Sequence, residues 1–409
     1  MSTAAGQLAE TIRAEGARIL ATLVRTVGDL HIAEDAVQEA AMRALRQWPV
    51  TGTPESPRAW LTVTARRAAI DFLRREGART TKERAAVDLH LDDDTPEEVV
   101  HDDLLRLIFT CAHPALSLDA QVTLALRVLC GLTTTQIASV LLSSESAVAK
   151  RLTRTRAKIA RAGIPYQVPS AAELPERLAA VCAVVYTLYT SAHSATAGPH
   201  LRDVDGCREA VRLARLVHAL MPDEVAPMSV LSLLLLTEAR RDARADADGH
   251  PIVLAEQDRA LWDATAIDEG RRLLDASLRR SGGIADPYQL QAAIAAAHAT
   301  AATYRDTDWA EIVRLYNLLI EVHPSPAARL ARAVAVAENS GTAAGLAALA
   351  ELEPDQRWHA VRAELLARDG RYIEAVDEMT ASLTDSGSVS DAEADHRHRQ
   401  IAQWTRRVP

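Results

Sequence analysis

The sequence predicts an all-α protein, and two features of its composition carry that prediction. Ala, Leu and Val dominate a hydrophobic fraction of 48%, whereas aromatic residues make up only 4%. Ala, Leu, Arg and Glu are strong helix formers, and the alternating β-branched runs that would indicate strands are scarce. At 409 residues the chain exceeds one comfortable core, so we expect several helical domains.

The charge of the chain is segregated, although its formal net value of −9 argues at first against nucleic acid. Residues 58–84 carry eight basic and three acidic side chains, and residues 145–161 carry six basic and one acidic. Between them, residues 85–103 hold eight acidic residues and no Lys or Arg. Two basic segments separated by an acidic one are hidden by the net charge.

This pattern divides the chain into four predicted parts. Residues 7–80 form a first module of three or four helices, interrupted by a loop at 49–57, and residues 101–165 form a compact second module. Residues 81–100 have too few apolar side chains to bury and are predicted to be a flexible acidic linker. Residues 170–409 follow as a C-terminal extension of successive amphipathic helices.

The second module contains a predicted helix-turn-helix. Hydroxyl residues at 133–135 can cap a first helix over 134–142, and Ser143 and Ser144 form a short turn before a second helix over 145–160. The second helix has an apolar stripe at helical spacing, made of Val148, Leu152, Thr155 and Ile159.

Basic side chains lie beside that stripe, as entry into a DNA groove requires. We predict that residues near the start of the helix read base edges and that later residues hold phosphates. An ordinary solvated basic helix face is the alternative. The predicted base readers are Ser144, Ser146 and Lys150, and the basic residues of the following turns are Arg151, Arg154, Arg156 and Lys158.

Three motifs together resemble the extracytoplasmic-function (ECF) sigma factors of RNA polymerase. They are AEDAVQEA at 33–40 followed by Arg43-Ala44-Leu45, PRAWLTVTAR at 57–66 continuing through DFLRR at 71–75, and GLTTTQIASVLLSSESAVAKRLTRTRAKI at 131–159. Each motif alone is modestly specific. Their order and separation match the family over residues 7–163, which makes the resemblance strong.

The resemblance implies roles for the first module, as sigma region 2. The face formed by Asp35, Gln38 and Glu39 corresponds to the one that docks on core RNA polymerase, and an acidic surface suits a basic partner. The loop at 49–57 corresponds to where the family captures a flipped base of the melted −10 promoter strand. The DNA-binding residues expected here are Trp48, Arg58, Trp60, Arg66, Arg67, Arg74 and Arg75, although a core position is favoured over base stacking for Trp60 and the family usually has Asn in place of Arg67.

The second module and the extension are assigned in the same way. The second module resembles sigma region 4, which recognises the −35 element in duplex DNA. Residues 170–409 resemble the extension of a subgroup with a tetratricopeptide (TPR)-like domain, and the segment 363–383 has the pattern of one such helix pair. Stacked helix pairs suit protein partners, so we expect a regulatory protein or an intramolecular contact there.

No residue pattern indicates catalysis or a cofactor. His193, His200, Cys207 and His218 are separated by 7, 7 and 11 residues, which matches no compact zinc motif, so no metal site is predicted. Four scattered cysteines suggest reduced, buried thiols. No stretch has the length of a membrane span. We expect a cytoplasmic, non-catalytic protein without membrane contact.

The sequence therefore predicts a sigma factor that binds core RNA polymerase and promoter DNA, both as duplex and as melted strand. Two alternatives stay open. One is a free-standing helix-turn-helix regulator with a TPR-like sensory domain, which would bind duplex DNA tightly without polymerase. The other is a TPR scaffold whose basic helix is incidental.

Overall fold

The computed structural model describes residues 4–77, 97–141, 143–193, 204–246, 250–283, 285–384 and 391–408, and in these ranges the fold is all-α with one isolated bridge between Ala245 and Pro251. Two compact units, Met1–Thr187 and Leu188–Pro409, divide within one helix. None of the described helices is long and apolar enough to cross a membrane.

The helices are α1 (Ala4–Val27), α2 (Leu30–Thr51), α3 (Pro57–Gly77), α4 (Glu97–Cys111), α5 (Leu118–Val128), α6 (Thr134–Val140), α7 (Glu145–Ala162), α8 (Leu174–His193), α9 (Val204–Leu220), α10 (Val225–Glu238), α11 (Ala264–Arg280), α12 (Pro287–Thr300), α13 (Trp309–Val322), α14 (Pro326–Ser340), α15 (Thr342–Leu349), α16 (Gln356–Arg368), α17 (Tyr372–Thr384) and α18 (Asp391–Thr405).

The first three helices pack against one another through small side chains. Asp29 caps α2 by accepting hydrogen bonds from the backbone amides of His31 and Ile32. Alanines recur at helical spacing on the buried face of α2, which lets α1 and α3 approach closely. These alanines are Ala33, Ala36, Ala40 and Ala44, all with no exposed surface.

The end of α2 corrects one prediction. We expected the loop to begin at Pro49, but the helix continues through Pro49 to Thr51. Pro49 has no amide hydrogen to donate within the helix, and α2 ends two residues later, where the amide of Gly52 closes the last turn on the carbonyl of Trp48 at 3.0 Å. Gly52 has a φ of 83°, a value that favours glycine.

Helices α4 to α7 form the second module around leucine, isoleucine and valine side chains. Helix α4 begins at Glu97, inside the range predicted as linker; the rest of that range, 81–96, lies outside the described residues. Within the same unit, α4 also packs against α1. The two predicted modules are therefore in direct contact in this structure.

The second unit is a succession of helices in which each packs against the next. Helix α10 is buried along nearly its whole length, and it meets α11 where Gly270 lies under Leu236. A Cβ on Gly270 would lie 2.8 Å from Leu236 Cγ, so only glycine permits this approach.

Towards the C-terminus the core becomes a series of small clusters that share helices. Helix α14 contributes Ala328 and Ala335 to a cluster with α12 and α13, and Ala333 and Ala337 to the next, with α15 and α16. Helix α16 in turn joins α17 and α18. The pair predicted at 363–383 is thus present as α16 and α17, inside a linear stack of helices.

Candidate nucleic-acid interface

Local hydrogen bonds define the helix-turn-helix of α6 and α7. Thr133 and Gln136 form a reciprocal capping box at the start of α6, which satisfies two amides that have no partner within the helix. Ser144 caps α7 by accepting from the amide of Ala147, and Gly163 ends it with a φ of 59°. Both caps lie where the sequence predicted them; α6 is two residues shorter than predicted and α7 two residues longer.

The packing of α7 separates an apolar face from a basic one. Val148, Leu152 and Thr155 are buried, as predicted, while Ile159 is half-buried. Among the side chains of α7 and its cap that are predicted to contact DNA, the exposed ones are Ser144, Ser146, Lys150, Arg154 and Lys158. Cationic side chains on successive turns of an exposed helix face can follow the phosphates of a DNA strand.

Two predicted DNA-contacting residues of α7 have protein partners instead. Arg151 donates from Nη1 to the hydroxyl of Thr123 on α5 at 3.1 Å. Arg156 makes a two-point ion pair with Glu34 of α2, in the first module. In this conformation neither guanidinium is directed freely to solvent.

Helix α3 carries the basic residues predicted for the −10 element. Arg58, Arg67 and Arg74 are exposed, Arg66 is half-buried, and the side chain of Arg75 lies outside the described residues. Arg58 also lies 3.8 Å from Glu15 of α1, a weak exposed pair. Arg67 and Arg74, seven residues apart, share one solvent-facing side.

The two tryptophans beside the loop differ in exposure. Trp48 is only 2% exposed, whereas Trp60 is half-buried. Their rings pack edge to face with centroids 5.6 Å apart, a favoured arrangement for aromatic pairs. Stacking on a flipped base needs an open ring face, so Trp60 is better placed for it than Trp48 in this conformation.

The face of α2 predicted to bind polymerase is solvent-accessible. The side chain of Asp35 is 49% exposed and that of Glu39 is 29% exposed, and Gln38 is exposed. Glu39 accepts from Arg43 Nε at 2.9 Å. Sequence reasoning missed Met42 and Leu45, which are 50% and 51% exposed, although their spacing of seven residues from Asp35 and Gln38 could have revealed them.

Three polar residues join the first module to the second, and of these Glu34 and Asp103 are buried and Tyr166 is half-buried. Glu34 of α2 faces Arg127 and Arg156. Asp103 of α4 accepts from Arg25 of α1 at 2.8 Å; its burial raises the pKa of Asp103, and Arg25 opposes that shift. The hydroxyl of Tyr166 lies within hydrogen-bond distance of the carbonyls of Ala21 and Asp103, and burial raises its pKa.

The second unit contains a histidine, a cysteine and a glutamate in one cluster, which the spacing of His and Cys along the sequence did not predict. Donor atoms of His193, Cys207 and Glu238 lie within 4.8 Å of one another. The hydroxyl of Tyr189 lies 2.9 Å from His193 Nδ1 and 3.1 Å from Glu238 Oε1, and Arg244 contacts His193 Nε2. A cation at His193 would have to displace one of these partners, so the cluster reads best as a hydrogen-bonded network.

Comparison with known proteins matches three families along the chain. Sigma-70 region 2 matches residues 11–79, and Sigma-70 region 4 matches residues 106–159. A family of unknown function, DUF6596, matches residues 177–278. The first two matches coincide with the two modules that carry the exposed basic faces.

Two similar proteins extend the comparison. An uncharacterized protein of Rhizobium meliloti (strain 1021) is 40% identical over 385 residues, which cover 91% of this chain and 90% of that protein. A Mycobacterium tuberculosis protein named "Probable ECF RNA polymerase sigma factor SigI" is 32% identical over 165 residues. That second match covers 39% of this chain and 56% of the relative.

Proposed function

We propose that this chain, which carries sigma-70 region 2 and region 4 and belongs to the same family as the Rhizobium protein, is a sigma factor of the ECF type. It directs core RNA polymerase to specific promoters. One observation carries the proposal: two exposed basic helices, α3 and α7, lie in the two modules that match these regions. The role is non-catalytic, since the polymerase supplies the chemistry.

Polymerase binding is assigned to the exposed face of α2. Asp35, Gln38 and Glu39 offer charge and hydrogen bonds to a basic helical partner. Met42 and Leu45 extend this face with apolar surface that docking would remove from water. A polar rim beside an apolar centre is typical of protein interfaces.

Promoter recognition is divided between the modules. Region 4 presents Ser144, Ser146 and Lys150 to the edges of the −35 bases, while Arg154 and Lys158 hold phosphates. Arg151 and Arg156 join them only after leaving their present partners. In region 2, Arg58, Arg66, Arg67, Arg74 and Arg75 follow the backbone of the −10 strand, with Trp60, backed by Trp48, beside the captured base.

Run-off transcription on a promoter library, with core polymerase alone and with the chain added, tests the proposal. We expect new transcripts with defined start sites only when the chain is present. Binding of the chain alone to the same template library, without polymerase, distinguishes a sigma factor from a free-standing regulator. Tight sequence-specific duplex binding together with unchanged transcription would overturn the sigma assignment in favour of that regulator.

The C-terminal extension is proposed to regulate this activity through a protein partner or an intramolecular contact. Its support is its size and its linear stack of helices, which exceed what promoter recognition requires. A chain ending at His193 keeps α8 whole and so preserves the first unit. Promoter-specific transcription by this shortened chain should differ from that of the full chain; equal output under every condition would exclude a regulatory role.

A further inference from the structure

Two arginines, a tryptophan and a histidine meet in the second unit. Arg240 lies just after α10, Arg259 begins a short helical turn that Trp262 follows, and His298 belongs to α12. The guanidinium carbons of Arg259 and Arg240 lie 4.4 and 5.7 Å from the centre of the Trp262 ring. Arg259 Nη1 also donates to the carbonyl of His298 at 2.8 Å. We call these four residues the Arg240 cluster.

The charge of Arg240 is not balanced by a paired carboxylate. Within the described part of the chain, its guanidinium makes neither a hydrogen bond nor an ion pair. The side chains charged at neutral pH that act most strongly on it are Arg244 and Arg259, both cations. Burial, together with these two charges, lowers the pKa of Arg240 to about 10. The side chain is therefore still charged at neutral pH, in a place where charge is unfavourable.

Arg259 is only weakly compensated. Burial lowers its pKa, and the charge of Asp306 opposes that shift. Asp306 is exposed, however, and accepts from the amide and the hydroxyl of Thr303. Arg259 Nη1 is used by two neutral acceptors, the backbone carbonyls of His298 and Ala301. Because charges removed from solvent are normally paired, two neighbouring arginines in this state are unusual.

Polar atoms of the cluster also lack hydrogen-bond partners. Among the described residues, Arg259 Nη2, Trp262 Nε1 and His298 Nδ1 are buried without one. Such atoms are costly, and a bound ion is one of the few reasons for which native proteins retain them. The arginine and indole nitrogens are donors, and a neutral imidazole can carry its hydrogen on either nitrogen. The set therefore suits a group that accepts several hydrogen bonds and carries negative charge.

The chemistry of the cluster selects a small oxyanion with two charges. The planar forks of two guanidinium groups match the oxygens of carboxylates and phosphates, and two negative charges neutralise them. A protein helix is too bulky, since Trp262 is only 7% exposed and the other three residues are half-buried. Arg240 is held by no hydrogen bond within the described residues, so its side chain can turn aside to admit an anion.

We propose that the Arg240 cluster binds a small organic dianion, either a phosphate monoester or a dicarboxylate. Such a ligand would act on the C-terminal extension, and its regulatory meaning rests on the proposed function. Binding itself is measured on the chain without polymerase or DNA. A failed transcription assay would therefore leave this proposal standing, and failed binding would leave the sigma assignment standing.

Isothermal titration calorimetry of the full chain, with inorganic phosphate and separately with succinate, tests the proposal. We expect one site per chain, with a dissociation constant of about 1 mM or below for at least one dianion. Acetate at the same ionic strength, which has a single charge, should bind about tenfold more weakly. Binding of phosphate alone would identify a phosphate monoester, and binding of succinate alone a dicarboxylate. If neither dianion gives heat or raises the melting temperature at about 10 mM, or if acetate binds equally well, the proposal is wrong.

Substitutions at Arg240 and Trp262 locate the anion. Arg240→Gln should weaken binding about tenfold or more, and Arg240→Lys, which keeps the charge but not the planar fork, should bind with intermediate affinity. Trp262→Phe keeps an aromatic ring without the Nε1 donor and should also bind more weakly. Far-ultraviolet circular dichroism confirms that each variant is folded, and unchanged affinity in both Arg240 variants would overturn the proposal.

Two further substitutions test whether the anion is merely attracted to basic surface. Arg279→Gln, on an exposed position of α11, removes the same charge as Arg240→Gln and should bind like the parent. Arg154→Gln removes a charge from the exposed basic face of α7. Loss of binding in Arg154→Gln, with normal binding in Arg240→Gln, would place the anion on the DNA-binding face and exclude the Arg240 cluster.

The melting temperature separates a binding role of Arg240 from a structural one. Without a dianion in the buffer, Arg240→Gln should melt no lower than the parent, because it removes a charge that lacks a partner. Addition of the dianion should raise the melting temperature of the parent and leave that of Arg240→Gln almost unchanged. Lower stability of Arg240→Gln together with the same rise on addition of the dianion would show that Arg240 is structural, and would overturn the proposal.

Discussion

The indole of Trp48 packs edge to face against that of Trp60, with centroids 5.6 Å apart and planes inclined by 68°. Trp48 is nearly enclosed, whereas Trp60 keeps part of its surface in solvent. The pair lies between the end of α2 and the start of α3, and so supports both sides of the loop proposed for base capture. We therefore expect the loss of one ring to have different consequences from the loss of the other.

Trp48→Ala should reduce the free energy of unfolding by about 3–5 kcal/mol, because it removes a buried aromatic ring and leaves a cavity. Trp60→Ala should cost less stability but reduce promoter melting more. Urea denaturation and permanganate footprinting of the melted strand measure the two effects. Equal stability losses, or normal melting by Trp60→Ala, would contradict this division of roles.

Reversal of charge on the exposed face of α2 should weaken polymerase binding. We expect Asp35→Arg combined with Glu39→Arg to raise the dissociation constant for core polymerase at least tenfold, because an acidic surface would become basic opposite a basic partner. Fluorescence anisotropy with labelled chain measures this. Asp268→Arg with Asp275→Arg, on exposed positions of α11, makes the same change in charge elsewhere. A similar loss of affinity for polymerase in that control would contradict the assignment of polymerase binding to α2.

The exposed cations of α7 should appear in the salt dependence of DNA binding. Each of Arg154→Ala and Lys158→Ala should reduce the slope of log affinity against log salt by about 0.9, the value for one lost phosphate contact. Lys150→Ala, in contrast, should change the ranking of promoter sequences, since it is proposed to read bases. Titrations at four salt concentrations on two promoters distinguish the two patterns; unchanged slopes in all three variants would reject this face as the DNA contact.

Features set by neighbouring residues could be predicted from the sequence. The caps at Thr133 and Ser144, the buried stripe of α7 and the pairing of α16 with α17 follow from residue type and spacing within about 20 positions. The continuation of α2 through Pro49 was missed, because a proline near a helix end and a proline after it leave the same local pattern.

Long-range relationships were not predictable in this way. Glu34 and Arg156 are separated by 122 residues, and nothing in either local pattern specifies the other. Glu34 belongs to the same helical motif as Asp35, yet one is buried and the other exposed. The meeting of His193 and Cys207 with Glu238 is hidden for the same reason, since it depends on how three helices pack.

A half-buried histidine in the second unit leads to a prediction about pH. His298 packs against the ring of Trp309 with centroids 5.2 Å apart. Burial, together with the charges of the nearby Arg240 and Arg259, lowers the pKa of His298 to about 4. The Arg259 guanidinium donates to the carbonyl of His298 at 2.8 Å, so the ring lies beside a fixed cation and is neutral when folded.

The sign of the effect follows from this lowered pKa. Between pH 6.5 and 4 the unfolded chain binds a proton at this position and the folded chain does not, so stability falls as the pH falls. Above pH 6.5 the imidazole is neutral in both states, so none of this stability is lost. A shift of the pKa from 6.5 to about 4 corresponds to a loss of about 3 kcal/mol in the free energy of unfolding at low pH. His298→Gln cannot titrate and should lack this loss. When the pH falls from 7 to 4, the unfolding free energy of the variant, measured by urea denaturation, should therefore rise by about that amount relative to that of the parent. The exposed His323→Gln serves as the control. A difference that stays constant over this range for His298→Gln would show that the ring is protonated in the folded protein despite its two arginine neighbours.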